Sequence, residues 1–367
     1  MPRFRPDIAA ISPYEPGRPI DEVAREVGLD PEQIVKLASN ESPGGPLPQV
    51  TAAIAAAAGG ANRYPDNDTY DLSRELSTHL GVAGDHLWLG GGSTALISAL
   101  ALAVGGPGTS AVYAWPSFIM YRLATKWAMS DAVEVPLADG FVHDLDAMAG
   151  AVGADTSVVY VCNPNNPTGT YVSAAAMLAF IDSIPESVLV VVDEAYHDFV
   201  AASDYASAIP IAADRGNVVV LRTFSKVHAL AGLRVGYAVA HPATIAELRK
   251  AQAPFTVTLL GQVAATESLR QTEAIAQRVQ ANAAGRAHLL SALAGRELPH
   301  APSETNFVFF KLGNDSARAA GLFTAQGVII RPLSGGWIRV TVGLPEENER
   351  FVASLDSAPF RIFRGNS

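Results

Sequence analysis

The sequence predicts an α/β fold in which a mostly parallel sheet is flanked by helices and followed by a smaller α+β unit. Two observations support this prediction. Between residues 85 and 240, short apolar segments alternate with alanine- and leucine-rich segments of helical length. Such alternation is typical of a parallel sheet covered by helices. After Thr256 it stops, and a long alanine-rich stretch precedes three further apolar segments.

Six segments are predicted to be strands of the large sheet. The segment at 188–192, Val-Leu-Val-Val-Val, is continuously apolar, as expected for a strand buried on both faces. Helical segments at 94–104 and 173–183 lie between strands. The predicted strands are 87–89, 110–113, 157–162, 188–193, 217–222 and 235–240.

The two ends of the chain are predicted to form the smaller unit. Residues 1–45 are rich in proline and glycine, which indicates an extended N-terminal arm that crosses the surface and contributes to the small domain. Residues 46–255 are expected to form the large domain. Residues 256–367 are expected to form the small C-terminal domain, with a helical stretch at about 260–294 and strands at 305–312, 327–331 and 336–342.

Composition narrows the possible classes of function. The net charge of −10 argues against sequence-independent binding of nucleic acid, which needs a basic surface. The first residues lack the apolar segment of a signal peptide, and the apolar run at 95–104 is too short to cross a bilayer. Cys162 is the only cysteine, which excludes an intrachain disulfide and a Cys-x-x-Cys metal site. We expect a cytoplasmic protein with no metal site.

Three separated motifs indicate the chemistry. Lys226 follows the strand at 217–222 across a short turn, Asp193 ends the strand at 188–193, and Asn166 lies in the turn Asn-Pro-Asn-Asn-Pro-Thr-Gly after a third strand. Parallel strands place such loops at one edge of the sheet, where ligands bind. Together they predict a pocket for pyridoxal phosphate (PLP). Lys226 would form a Schiff base as a neutral amine. Asp193 would keep the pyridine nitrogen protonated so that the ring accepts electrons, although alone it could equally be a helix N-cap.

Further residues complete the predicted pocket. Tyr196 and Asn166 are candidates to hydrogen-bond the phenolate oxygen of the cofactor. The segment Gly-Gly-Gly-Ser-Thr-Ala at 90–95 follows a strand and opens a helix, where backbone amides bind phosphate. Phe118 would stack on the ring or pack in the core. The candidate phosphate ligands are Ser93, Thr94, Thr223, Ser225 and Arg234.

The glycine segment also matches the dinucleotide fingerprint Gly-x-Gly-x-x-Ala. That fingerprint requires an acidic residue about 20 positions later, and the chain has none there until Asp131, so a single phosphate is favoured.

Arg339 places a charge inside an apolar strand and therefore needs a partner. A substrate carboxylate or a structural salt bridge would serve.

These motifs resemble the fold-type I PLP-dependent aminotransferases of classes I and II, in the histidinol-phosphate aminotransferase branch. The resemblance covers residues 13–343. Four segments indicate the branch: Ile-Ser-Pro-Tyr at 11–14, Lys-Leu-Ala-Ser-Asn-Glu at 36–41, Arg-Tyr-Pro-Asp at 63–66, and Ile-Arg-Val-Thr-Val-Gly at 338–343.

The resemblance implies roles for residues outside the three motifs. Tyr64 would reach the phosphate of the cofactor in the neighbouring subunit, which makes a homodimer the functional unit. Arg339 would bind the substrate carboxylate, and Asn40 would lie at the substrate. Tyr14 and Arg331 would contact the distal part of the amino substrate, in this family often its phosphate. Because histidinol phosphate has no carboxylate, Arg339 would then serve glutamate or 2-oxoglutarate.

The implied reaction is ping-pong transamination between L-histidinol phosphate and 2-oxoglutarate, as in histidine biosynthesis. The family's usual Gly-Asn-Gly-Ser-Asp-Glu is replaced at 90–95, and its Asn-Glu-Asn-Pro-aromatic-Gly is Asn-Glu-Ser-Pro-Gly-Gly at 40–45. These changes lie near substrate recognition, so an aromatic amino acid aminotransferase is the alternative. Decarboxylation or β-elimination on the same fold, a non-catalytic PLP-binding module and a nucleotide-binding dehydrogenase are further alternatives.

Overall fold

The computed structural model describes residues 2–9 and 11–357. The strands in this part of the chain form three sheets. In chain order they are β1 (Val35–Lys36), β2 (Leu87–Gly90), β3 (Ser110–Trp115), β4 (Asp131–Pro136), β5 (Thr156–Cys162), β6 (Leu189–Asp193), β7 (Val218–Thr223), β8 (Gly236–Val239), β9 (Phe307–Lys311), β10 (Val328–Ile329), β11 (Arg331–Pro332) and β12 (Trp337–Thr341).

The helices cover the large sheet and build the smaller unit. In chain order they are α1 (Pro6–Ala9), α2 (Ile20–Val27), α3 (Pro48–Ala57), α4 (Tyr70–Leu80), α5 (Ser93–Val104), α6 (Met120–Trp127), α7 (Leu145–Gly150), α8 (Ala174–Ser183), α9 (Ile209–Asp214), α10 (Pro242–Leu248), α11 (Leu259–Arg270), α12 (Thr272–Ala294), α13 (Ser316–Thr324) and α14 (Pro345–Leu355).

Seven strands form the central sheet, in the order β2-β8-β7-β6-β5-β3-β4. Every neighbouring pair is parallel except those that involve β8, which runs antiparallel to β2 and β7. All five residues of β6 are buried, because apolar clusters cover both faces of the sheet. This buried position explains the unbroken apolar run of β6. The predicted α/β class and the six predicted strands are confirmed.

One strand of the large sheet was missed by the sequence analysis. Strand β4 pairs with β3 at the edge of the sheet, and most of its side chains are exposed or half-buried. Its sequence, Asp-Ala-Val-Glu-Val-Pro, mixes charged and apolar residues, as edge strands do. The apolar-run criterion finds strands that are covered on both faces, and β4 is not one of them.

The N-terminal segment joins the smaller unit through one short strand. Strand β1 pairs in parallel with β10, and strands β11, β12 and β9 form an antiparallel sheet. Val35 and Leu37 are buried in the same core as the side chains of β12 and α14. The arm is less extended than expected, because residues 6–9 and 20–27 are helical. The segment at 327–331, expected to be one strand, is divided between two sheets.

The long alanine-rich stretch is two helices with different partners. Helix α11 packs against α3 and α4 and buries Ala264, Ala265 and Leu269 in the core of the large sheet. Helix α12 buries Leu289 and Leu293 in the core of the smaller unit. The boundary expected at residue 255 assigns α11 to the small domain, whereas its buried side chains lie against the large sheet. We therefore propose that the large domain extends to about residue 270.

The described residues contain neither a membrane-spanning helix nor a metal-binding cluster. None of their helices is long and apolar enough to cross a membrane. They also contain no cluster of three or more histidine, cysteine, aspartate or glutamate side chains arranged to hold a metal ion.

Candidate active site

A cavity of about 240 Å³ lies at the carboxyl edge of the large sheet, facing the smaller unit. The loops that follow β2, β5, β6 and β7 line one side of it, and the N-terminal arm and the β11–β12 pair line the other. Of the 15 candidate residues taken from the sequence, the structure brings all but Tyr64 to this cavity. They are Tyr14, Asn40, Ser93, Thr94, Phe118, Asn166, Asp193, Tyr196, Thr223, Ser225, Lys226, Arg234, Arg331 and Arg339.

Lys226 lies in the turn after β7 and points towards the arm. Its Nζ donates a hydrogen bond to the backbone oxygen of Asn40 at 3.2 Å and lies 5.5 Å from the centre of the Tyr196 ring. Burial, reinforced by the positive charge of Arg339, lowers the pKa of Lys226 to about 8. About one tenth of this amine is therefore neutral at pH 7, far more than for an ordinary lysine, and the neutral form is what a nucleophile or base requires.

Asp193 is the last residue of β6 and is 1% exposed. Its Oδ2 accepts a hydrogen bond from the Tyr121 hydroxyl at 2.9 Å, and its Oδ1 accepts one from the Ala195 amide at 3.1 Å. Burial raises the pKa of Asp193 to about 6, although both hydrogen bonds oppose this shift. The carboxylate is therefore mostly ionised at neutral pH and suited to pair with a protonated ring nitrogen.

The loop before α5 forms the candidate phosphate site. Gly92 precedes the helix with a φ of 81°, and no side chain caps the first amides of α5. A side chain on Gly92 would collide with the guanidinium of Arg234. Arg234 itself adopts a left-handed φ of 54°, and its Nη1 donates to the Ser225 hydroxyl at 3.4 Å. The uncapped amides of α5, the Ser225 hydroxyl and the Arg234 guanidinium thus lie close together, and such groups bind phosphate. Only glycine fits at position 92 beside them.

Asn40 lines the cavity together with Asn166 and Tyr196, the two residues predicted to bind the cofactor's phenolate oxygen. Asn40, in a left-handed conformation with φ of 55°, donates from Nδ2 to the Tyr196 hydroxyl at 2.9 Å. Arg339 donates from Nη1 to Oδ1 of Asn166 at 2.6 Å. This contact turns the amide nitrogen of Asn166 away from Arg339, and so leaves it available as a donor. Burial raises the pKa of Tyr196, which keeps its hydroxyl protonated.

The substrate side of the cavity carries two arginines. Arg331 and Arg339 stand opposite each other on the antiparallel strands β11 and β12. Arg331 donates to the backbone oxygen of Glu15 at 2.9 Å and lies 6.0 Å from the centre of the Tyr14 ring. Burial lowers the pKa of Arg339, and Arg331 lowers it further. Two like charges at one position of a sheet are unfavourable unless an anion lies between them.

Phe118 and Tyr64 differ in their placement. Phe118 lines the cavity and meets Tyr121 edge to face at 5.8 Å. Tyr64 is 83% exposed and stacks on Phe255, with 4.8 Å between the ring centres. It contributes nothing to the cavity within its own chain, so its predicted contact with a neighbouring subunit's cofactor stays a prediction.

The sequence analysis missed Tyr121, Cys162 and Glu41 at the site. Tyr121 contacts the site only because α6 places its hydroxyl beside Asp193, which lies 72 residues further along the chain. No local pattern in the sequence indicated this contact, since Tyr121 lies in the first turn of α6 and Phe118 precedes that helix. Cys162 and Glu41 also line the cavity; Glu41 lies within the motif at 36–41 but was given no role, and Cys162 lies in no motif.

The residues fit PLP. The pocket joins a phosphate cradle that tolerates only glycine at Gly92, a buried carboxylate at Asp193 and a half-buried amine at Lys226. Bound there, PLP would have its phosphate held by the amides of α5 and by Arg234, its ring nitrogen by Asp193 and its phenolate oxygen by Asn166 and Tyr196.

Comparisons with known proteins agree with this geometry. The family model for aminotransferase class I and II matches residues 32–355. The chain is 43% identical to histidinol-phosphate aminotransferase 2 of Ralstonia nicotianae, over 97% of each chain. It is 42% identical to an aromatic amino acid aminotransferase of Streptomyces coelicolor, over 96% of each.

A solved structure shares the fold over the whole chain. Histidinol-phosphate aminotransferase from Sinorhizobium meliloti, in complex with pyridoxal-5′-phosphate, superposes with a TM-score of 0.89 at 29% identity, covering 100% of this chain and 99% of that one. The predicted enzyme class and cofactor are thereby confirmed. The chain belongs to the class I and II aminotransferases, which are fold-type I enzymes that depend on PLP.

Proposed function

We propose that the enzyme transfers the amino group of L-histidinol phosphate to 2-oxoglutarate. Within the aminotransferase family, the choice of substrates rests on the distal half of the cavity. The observation that carries the proposal is the pair of arginines on β11 and β12. The relatives named as histidinol-phosphate aminotransferases, at up to 44% identity over 97% of this chain, support the same choice.

The arginine pair favours substrates with an anionic distal group. Arg339 is half-buried beside Asn166, and Arg331 lies nearer the entrance beside Tyr14. 2-Oxoglutarate carries two carboxylates and would satisfy both arginines at once. Histidinol phosphate carries a phosphate at one end only, which Arg331 and the Tyr14 hydroxyl would bind. A neutral aromatic side chain would leave Arg331 without an anion.

The chemistry that PLP supplies when bound is an electron sink for the bond broken at the substrate Cα. Lys226 is the base, since its depressed pKa leaves a neutral Nζ to accept the proton from Cα. Asp193 remains mostly ionised and would pair with the ring nitrogen, and the Tyr121 hydroxyl supports that charge. Asn166 and Tyr196 would donate hydrogen bonds to the phenolate oxygen. Arg339 would bind a carboxylate of 2-oxoglutarate or glutamate, and it also orients Asn166.

We also propose that the enzyme acts as a homodimer in the cytoplasm. Tyr64, Tyr70 and Phe255 are large aromatic side chains that remain 43–83% exposed on the same chain. An exposed group of this kind is typical of a subunit interface. The dimer would bring Tyr64 to the neighbouring active site.

An aromatic amino acid aminotransferase is the second candidate. An apolar cavity of about 540 Å³ adjoins the active site and shares Tyr14, Thr94 and Phe118 with it. Ile11, Met120 and Trp127 add to its wall. A phenylalanine or tyrosine side chain would find an apolar surface there, with its carboxylate on Arg339.

A donor panel separates the two candidates. We would measure glutamate formed from 2-oxoglutarate and histidinol phosphate, phenylalanine, tyrosine, aspartate or alanine, with the PLP-loaded enzyme. Histidinol phosphate should give the highest kcat/KM, and Lys226→Ala should abolish glutamate formation with every donor. A higher kcat/KM for phenylalanine or tyrosine would replace the first candidate by the second. Near-normal turnover by Lys226→Ala would refute the assignment of the lysine.

A further inference from the structure

A second cavity, of about 460 Å³, lies behind the turn that carries Lys226. It shares no lining residue with the active-site cavity. The segment 42–44 bounds it on one side, helix α12 on another, and the segment 342–345 on a third. Its volume is in the range of small-molecule sites. Much of its wall is apolar, with contributions from Pro43, Phe199, Val227, Val342 and Leu344.

Arg278 provides a positive charge on this wall. Its Nη1 donates to the backbone oxygen of Val227 at 3.2 Å, and its Nη2 donates to that of Gly45. No carboxylate among the described residues pairs with Arg278, and burial lowers its pKa. A half-buried guanidinium that is bonded to two carbonyl oxygens and lines a largely apolar cavity favours an anionic ligand. The carboxylate of Glu349 also lines the cavity, and it lies 3.2 Å from Nε2 of His288.

The cavity is also in contact with the surroundings of the catalytic lysine. Val227, which lines it, directly follows Lys226 in the chain. Asn306, another lining residue, donates from Nδ2 to the backbone oxygen of Asn40 at 3.1 Å. That same oxygen accepts the hydrogen bond from Lys226 Nζ at 3.2 Å. A molecule bound in the cavity would therefore contact Val227 and Asn306, the two residues that connect the cavity to Lys226.

We propose that this cavity is an effector site for small monocarboxylates with an apolar body. The carboxylate would pair with Arg278, and the apolar body would lie against Phe199, Val227 and Val342. The bound molecule would change the turnover number through Val227 and Asn306. The proposal concerns a site outside the active-site cavity and holds for either candidate amino donor.

The test uses indole-3-propionate, which has a carboxylate and a flat apolar body but no amino group to transfer. Binding to the PLP-loaded enzyme is measured by calorimetry with 2-oxoglutarate at saturation, so that the arginines of the active site are occupied. We expect one site per chain with a Kd on the order of 1 mM, as for a ligand of this size. We also expect kcat at saturating substrates to change when the probe is bound.

Variants on α12 locate the site. Ala281→Trp fills the cavity from an exposed helical position, and Ala287→Trp is the matched control on the same helix, outside the cavity. Ala281→Trp should abolish both probe binding and the change in kcat, whereas Ala287→Trp should retain both. Arg278→Gln keeps two donors without the charge and should weaken binding about tenfold or more.

Three results would overturn the proposal. They are no binding to the wild type at ten times the expected Kd, binding that Ala281→Trp leaves unchanged, and binding with no change in kcat. The first two would refute the site, and the third would refute its action on the lysine. A protein that failed the donor panel would still give a clear answer here, because binding is measured directly.

Discussion

The hydrogen bond from Tyr121 to Asp193 can be tested by Tyr121→Phe. The substitution removes one hydroxyl, 2.9 Å from a carboxylate oxygen that is 1% exposed, and leaves the ring in place. Because that hydroxyl stabilises only the ionised carboxylate, its loss must raise the pKa of Asp193. A hydrogen bond to a charged group contributes about 1.5–3 kcal/mol, which corresponds to about 1–2 pKa units.

The expected effect follows from the pKa of about 6 that Asp193 has with the hydroxyl present. At pH 7 about one tenth of the carboxyl groups are protonated in the wild type, and about half or more would be protonated in the variant. A protonated Asp193 cannot hold the protonated ring nitrogen. The acid side of the profile of PLP affinity against pH should therefore move up by about 1–2 units, while both proteins bind PLP equally well above pH 9 or so.

The assay is titration of the apoenzyme with PLP, followed by absorbance, at a series of pH values. Tyr160→Phe is the matched control, because the Tyr160 ring stacks on Tyr121 at 4.8 Å while its own hydroxyl is buried and has no partner among the described residues. The control should keep the wild-type profile. If Tyr121→Phe also kept the wild-type profile, the role given to this hydrogen bond would be refuted.

Two further predictions concern the phosphate cradle and the substrate arginine. Gly92→Ala should weaken PLP binding about tenfold or more, because a Cβ there meets the Arg234 guanidinium and φ is positive. Gly91→Ala is the control, since its Cβ would make ordinary contacts, and it should bind PLP normally. Equal PLP affinities of the two variants in a fluorescence titration would contradict the assignment of this loop as the phosphate site. Arg331→Met should lower kcat/KM for histidinol phosphate about 10–100-fold by removing the phosphate partner, and should change that for phenylalanine only slightly. Equal losses for both donors in the glutamate assay would contradict distal phosphate binding.

The sequence predicted the parts of the fold that depend on local pattern. Strand β6 was evident because a strand covered on both faces must be apolar throughout. The end of β6 also located Asp193, since ligands bind at the carboxyl edge of such sheets. The same criterion could not find β4, whose exposed edge position imposes no unbroken apolar run.

What the sequence could not provide were contacts between distant segments. Tyr121 meets Asp193 only because α6 packs across the sheet. The packing of α11 on the large sheet likewise depends on α3 and α4, which are about 200 residues away in the chain. Its alanine-rich sequence fits either core, so the sequence alone did not indicate which of the two units α11 packs against. The resemblance to a family, rather than spacing, supplied the roles of Arg331 and Arg339.

The position of Asn40 has a consequence for how the enzyme matures. Its backbone oxygen accepts hydrogen bonds from Lys226 and Asn306, its backbone N–H donates to the Thr341 hydroxyl, and its side chain donates to the Tyr196 hydroxyl. Residues from the first and last eighths of the chain thus meet at one point, with the lysine between them. When Lys226 and all strands of the large sheet have been synthesised, Asn306 and Thr341, which hold Asn40 against this lysine, have not. Contacts of such long sequence separation form late in folding. We therefore expect the active site to be complete, and the cofactor to be bound tightly, only after the whole C-terminal sheet has been synthesised.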